Sequence, residues 1–104
     1  MIKNSKEHLL FTVGLARKAG KTVVGTDAVC DEIRKKKVFL VLYAADVSAN
    51  TEKRITDCCT YYGIPHHKAP DVDKTALGSA IGKAFSACIG ITDQNLSELI
   101  SRSL

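Results

Sequence analysis

Val38-Phe39-Leu40-Val41-Leu42-Tyr43-Ala44-Ala45 decides how this chain must fold. The run is short, partly β-branched and apolar at every position. A strand with one wet face would alternate apolar and polar residues. This one does not, so it belongs in the middle of a sheet that is covered on both sides. It is far too short to cross a bilayer.

The flanks supply the cover. Upstream, Thr26 or Asp27 can cap a helix that runs to about Lys36, with Val29 and Ile33 turned inward. Residues 21–24 are short and β-branched and read as a strand that Gly25 breaks. Residues 5–19 read as a helix, because Leu9, Val13 and Ala16 recur at i, i+4 and i+7 and Gly20 sits where a helix would stop. Downstream, residues 46–50 turn the chain. A helix with Ile55, Cys58, Cys59 and Tyr62 on one side follows and ends at Gly63. Residues 64–69 form a third strand, which Pro65 puts toward an edge. Asp71 can cap a fourth helix that has Leu77, Ala80 and Ile81 inside. Residues 84–91 read as a fourth strand, and Asp93 caps a last helix with Leu96, Leu99 and Ile100. Helix and strand alternate throughout, which predicts an α/β sandwich with helices on both faces of the sheet.

A length of 104 residues suits one domain spanning 1–104. With 45% apolar and 25% charged residues, disordered, collagen-like and coiled-coil chains are excluded. The first residues lack the apolar core of a signal peptide, so a cytoplasmic location is expected. Thiols stay reduced in that compartment. Cys30, Cys58, Cys59 and Cys88 are therefore expected to pack rather than to form disulfides.

The net charge of +4 is concentrated in one segment. Residues 17–37 carry seven basic side chains against three acidic ones, and the rest of the chain is close to neutral. A local basic patch on a small domain suits a phosphate-rich partner, and a solvated charged face explains it equally well.

The familiar catalytic and metal patterns do not fit. Gly20-Lys21-Thr22 looks like the end of a phosphate-binding P-loop, but Leu15 stands where the first glycine belongs, and the helix precedes the strand. Gly20 is better read as a helix C-cap. Cys58, Cys59, His66 and His67 are metal-ligand types without ligand spacing. Asp46, Ser48 and Asn50 resemble the start of a calcium loop, but Thr51 replaces its glycine; a turn and helix cap explain them better. No nucleophile signature or carboxylate pair stands out. These residues therefore point neither to an NTPase nor to a metal site.

The Gly25 junction differs from these. A strand ends, glycine turns the chain, and a helix starts with free N–H groups that suit a phosphate. Lys21 lies upstream, and Arg34 to Lys37 close the same helix. Basic residues in a last helical turn are also favoured by the helix dipole alone.

Here the sequence resembles a known family. Gly25-Thr26-Asp27-Ala28-Val29, Ile33-Arg34-Lys35-Lys36-Lys37, Asn50-Thr51-Glu52-Lys53, Tyr61-Tyr62-Gly63-Ile64-Pro65 and Leu77-Gly78-Ser79-Ala80-Ile81-Gly82-Lys83 resemble, in order and spacing, the kink-turn-binding ribosomal protein family, the L7Ae family. The resemblance covers roughly residues 6–100. Ala16-Arg17-Lys18-Ala19-Gly20 and Ile81-Gly82-Lys83 look most like its YlxQ-type bacterial branch. The resemblance implies a three-layer α/β/α sandwich around a mixed four-stranded sheet. It implies binding of structured, sharply bent RNA at residues 25–31 and 82–85, without cofactor or chemistry. Strong binders in the family read Gly-x-Asn-Glu-x-x-Lys at the junction. This chain has Gly25, Asp27, Ala28 and Asp31 at the named positions.

The expected function is therefore RNA binding by a cytoplasmic monomer, associated with the ribosome or with kink-turn-like RNA and independent of membranes. Gly25 and Thr26 would let backbone approach the RNA, and Asp27 would accept a hydrogen bond from a base. Lys18, Lys21, Arg34, Lys35, Lys37 and Lys83 would contact phosphates. A protein-interaction module on the same fold is the alternative.

Overall fold

A computed structural model describes residues 5–69 and 71–102. Its elements are α1 (Ser5–Lys18), β1 (Thr22–Val24), α2 (Thr26–Arg34), β2 (Leu40–Tyr43), α3 (Ala49–Tyr62), β3 (His66–Lys68), α4 (Lys74–Ala80), β4 (Cys88–Ile91) and α5 (Gln94–Ser101). The strands lie in the order β1-β4-β2-β3. β4 is antiparallel to both neighbours, and β2 and β3 are parallel. Every residue of β2 is buried, as its composition demands, and β3 is an edge, as Pro65 suggests.

The two-residue period of the strands sorts their side chains into two cores. Leu40, Leu42, Ile89 and Ile91 face Leu9 and Val13 of α1, Leu77 of α4 and Ile100 of α5. Val41, Tyr43 and Cys88 face Val29 and Ile33 of α2 and Ile55 and Cys59 of α3. The result is a three-layer α/β/α sandwich on a mixed four-stranded sheet. Each fully buried Leu or Ile contributes about 1.5–3 kcal/mol. Leu99 and Tyr62 lie off the packed faces and are partly exposed. No helix among the described residues is long and apolar enough to cross a membrane.

Three local expectations need correction. Gly25, not Thr26 or Asp27, is the N-cap of α2, and no side chain caps it. Asp73 caps α4 by accepting from the Ala76 N–H at 2.8 Å, while Asp71 stands two residues earlier with a left-handed φ of 60°. The fourth strand starts at Cys88 rather than residue 84, because residues 84–86 follow α4 instead of the sheet. The Ser86 N–H donates to the Lys74 carbonyl at 2.9 Å, and only at Ala87 does the chain bond to the Ala44 N–H beyond β2. Asp93 caps α5 as expected, accepting from the Leu96 N–H.

Four helices close with the same pair of backbone bonds, in which one residue just past the helix reaches back three positions and the residue after it reaches back five. For α1 these are Lys21 N–H to Ala16 O at 2.9 Å and Gly20 N–H to Arg17 O at 3.0 Å. The closure requires one left-handed residue. Glycine supplies it at Gly20, Gly63 and Gly82, but after α2 it is Lys36, at a φ of 61°. A side chain in this region costs roughly 1 kcal/mol or more, which glycine avoids.

On the α2–α3 side, the Tyr43 hydroxyl donates to Glu52 Oε2 at 3.0 Å and Lys68 Nζ lies 3.2 Å from the same oxygen. The Lys68 bond, with that of Tyr43, holds the Glu52 carboxyl below its ordinary value of 4.5.

Lys36→Gly should raise the unfolding free energy in urea by roughly 1 kcal/mol; a neutral or destabilising result would mean that position 36 is not strained. A second expectation concerns acid. A depressed carboxyl pKa stabilises the fold above the ordinary value and loses that contribution as pH falls through the lowered one. Below pH 4.5, wild-type stability should fall more steeply than that of Glu52→Gln. Parallel pH profiles would remove Glu52 from the acid response.

Candidate nucleic-acid interface

β1 leaves the sheet at Val24, and Gly25 turns the chain with φ 97° and ψ 148°. This region strains any residue with a side chain. A Cβ at Gly25 would meet nothing within 4 Å, so conformation alone calls for glycine, and the space above it is open. The Gly25 N–H donates to the Cys88 carbonyl at 3.2 Å. The Ser86 hydroxyl donates to the same carbonyl at 3.0 Å. The Cys88 thiol lies 3.8 Å from Thr26 Oγ1. The β1–α2 junction and the segment before β4 therefore meet on one residue. The first N–H groups of α2 have no side-chain cap there, which leaves a site suited to an anion.

The segment before β4 owes its place to Gly78. A methyl group at Gly78 would lie 2.6 Å from the carbonyl carbon of Phe85 and 2.7 Å from its nitrogen. Only a bare α-carbon lets residues 82–86 lie against α4. Phe85 is then 68% exposed. It borders a hollow of about 190 Å³ with Val47, Ser48, Thr51, Lys74 and Ala87. At the start of the segment, a Cβ on Gly82 would lie 3.0 Å from the Arg17 guanidinium, so Lys83 follows directly on a contact with the basic end of α1.

Ion pairs occupy much of the charge. Asp27 pairs with Arg54 of α3, Asp31 with Arg34 at 2.9 Å and Glu32 with Lys35 at 3.5 Å. The Asp27 carboxylate raises the already high pKa of Arg54. Exposed pairs of this kind are worth about 0–1 kcal/mol each, little enough for a phosphate to displace the carboxylate. Burial pushes the Cys88 thiol up to about 11, against a lowering by Thr26 and Arg54. Burial likewise pushes Cys30 to about 11 and Cys59 to about 12. These groups are thiols at neutral pH and offer no ready nucleophile.

The structure divides the residues grouped by sequence. Gly25, Thr26 and Asp27 lie at the end of the sheet where β1, β2 and β3 finish and β4 begins. Lys21 and Lys37 lie at the opposite end: Lys21 immediately precedes β1 there and its carbonyl accepts from the Thr92 N–H, while Lys37 precedes the start of β2. Arg34 and Lys35 close α2, whose nine residues span about 14 Å from the junction. Lys18 ends α1. One footprint in the sequence thus becomes two surfaces. Sequence reasoning included Phe85 within residues 82–85 but missed Arg17, Arg54 and Lys74, which lie beside the candidate site. Arg17 stood inside the quoted Ala16-Arg17-Lys18-Ala19-Gly20 motif, but the pairing of Arg54 with Asp27 joins residues 27 positions apart and leaves no local signal.

The model of the ribosomal protein L7Ae/L30e/S12e/Gadd45 family matches residues 7–101. The RNA-binding protein YlxQ of Bacillus subtilis (strain 168) is 42% identical over 90 residues, covering 86% of this chain and 88% of its own. The large ribosomal subunit protein eL30 of Trypanosoma brucei brucei is 29% identical over 103 residues, covering 96% of this chain and 95% of its own. Among solved structures, a Bacillus halodurans protein of unknown function superposes with a TM-score of 0.86 at 29% identity, covering 91% of this chain and 94% of its own.

The close approach at Gly78 makes a definite prediction. Gly78→Ala should lower stability by about 1–3 kcal/mol, the usual cost of overpacking. It should also weaken hydrogen-exchange protection at the Ser86 amide, which bonds to Lys74. Full stability and unchanged protection together would show that the segment does not depend on a bare position 78.

Proposed function

The chain belongs to the ribosomal protein L7Ae/L30e/S12e/Gadd45 family, and from that premise we propose that it binds structured, kink-turn-like RNA at the Gly25 end of its sheet. RNA binding accords with the family and with its relatives, one named an RNA-binding protein and another a large-subunit ribosomal protein. The observation that carries the reading is the meeting of the uncapped start of α2 and the Phe85 segment on Cys88.

A phosphate approaches over Gly25 and accepts from the first N–H groups of α2. The open space above Gly25 and the neighbouring Thr26 allow this close backbone approach. A sharply bent RNA exposes bases that a regular A-form helix hides. Such a base can lie on the exposed Phe85 ring, with Lys74 and Lys83 available to phosphates. Asp27 accepts from a base amino group once Arg54 turns away to a phosphate. Lys18, Arg34 and Lys35 hold more distant parts of the backbone by charge, while Lys21 and Lys37, at the other end of the sheet, lie away from this site. The protein acts as a monomer, associates with ribosomal or similarly folded RNA, and performs no chemistry on it.

Asp31 works against this binding. It places a carboxylate one helical turn after Asp27, where strong binders of the resembled family have lysine, and it engages Arg34. Asp31→Lys reverses the charge, supplies a donor and frees Arg34. Each added contact is worth about 1 kcal/mol, several-fold in affinity. In gel shifts, Asp31→Lys should tighten binding to a kink-turn more than to straight duplex. Equal tightening of both would reduce the effect to nonspecific charge. No tightening of either would mean that this face does not meet RNA and that a protein-interaction role fits better.

A further inference from the structure

Phe39 stands at the end of the sheet opposite Gly25, in the wall shared by two grooves. One groove, of about 470 Å³, is lined by Gly20, Thr22, Glu32, Lys36, Lys37 and Phe39 among others. The other, of about 600 Å³, includes Phe39, Pro65, Glu98 and Arg102. Phe39 is 41% exposed, but its backbone is fixed, because its N–H donates to the Ile91 carbonyl at 2.8 Å and Val38 and Leu40 on either side are buried. A large aromatic ring is thus held by rigid structure and left partly in water.

Its surroundings are cationic. Lys36 and Lys37 line the first groove, and Lys21 lies beside it between Gly20 and Thr22. Glu32 is the carboxylate of that groove, and it is already engaged by Lys35 at 3.5 Å. Arg102 and Glu98 both line the second groove. Lys36 is also the one described non-glycine residue to hold a left-handed helix closure, where Gly20, Gly63 and Gly82 serve the other helices. A lysine in a strained backbone position where glycine would fit better points to a use for its side chain.

We propose that this pole is a second RNA site, which takes an unpaired strand. A base stacks on Phe39, and the phosphates beside it lie against Lys21, Lys36 and Lys37. A projecting ring can stack only with a base that is free of a duplex, and lysines on its flank suit the backbone that carries such a base. The site does not depend on the Gly25 junction. With both poles occupied, the protein bridges two stretches of RNA.

The test uses the full chain and a fluorescein-labelled unpaired RNA of about ten nucleotides, within the usual reach of such sites. Binding is read by anisotropy across a salt series. Phe39→Leu should weaken binding by about ten-fold, and Phe39→Tyr, which keeps the ring, should retain it. Lys36→Gly relieves the backbone, so lost binding would not reflect unfolding. It should weaken binding and reduce the salt slope by about 0.7, the value for one phosphate contact on a single strand. Excess kink-turn RNA should leave the oligomer bound. The proposal is overturned if the oligomer does not bind, if Phe39→Leu and Lys36→Gly bind as well as wild type, or if kink-turn RNA displaces the oligomer. Failure of the wild-type protein to bind kink-turn RNA would overturn the Gly25 reading alone, since the oligomer assay does not use that RNA.

Discussion

The backbone of Phe85 passes so close to the α-carbon of Gly78 that no side chain fits between them. This contact sets the course of residues 82–86 along α4, where Ser86 bonds to Lys74. The course delivers Cys88 to the sheet in register with Tyr43, and the Cys88 carbonyl then holds both Gly25 and Ser86. The exposed ring of Phe85 and its place near the junction follow from that one approach, whereas the start of α2 is uncapped because its N-cap, Gly25, has no side chain. Three separate stretches of chain are thus held together largely through one backbone carbonyl, that of Cys88.

The architecture was legible because burial leaves a periodic record. An unbroken apolar run marked β2 as central, and three- and four-residue spacing of apolar side chains marked α1, α2 and α3. The boundaries were harder where local chemistry offers equal choices. Asp71 and Asp73 are both good caps, and tertiary structure selects Asp73 while Asp71 takes a left-handed turn. Residues 84–86 carry nothing that tells a strand from an extended segment on a helix. The strand order was invisible to local patterning, since nothing near residues 88–91 says that they pair between β1 and β2.

The site was legible by type and less so by place. Gly25 stood out because a strand, a glycine and a helix follow one another there. The basic residues were read as one patch because they are close in sequence. β1 and α2 each cross the molecule, however, so residues 17–37 begin at one end of the sheet, visit the other and return. Separation by about 14 Å turns one charge cluster into two. The ion pairs Asp27–Arg54 and Asp31–Arg34 then moderate the charge at the first end and along α2, whereas Lys36 and Lys37 remain beside an aromatic ring at the second.

The placement of β4 between β1 and β2 has a consequence for how the chain is made. Until residues 88–91 leave the ribosome, β1 has no neighbour in the sheet. β2, α3 and β3 can already form their parallel unit, but α1 and β1 must wait with apolar surface uncovered. Pairings between segments so far apart in sequence are slow, and uncovered strands are open to aggregation or chaperone capture in the interval. The bond from Gly25 to Cys88 forms only at this last step. On the proposed reading, a nascent chain cannot hold RNA at the Gly25 junction until residues 88–91 have joined the sheet, and competence arrives abruptly when the sheet closes.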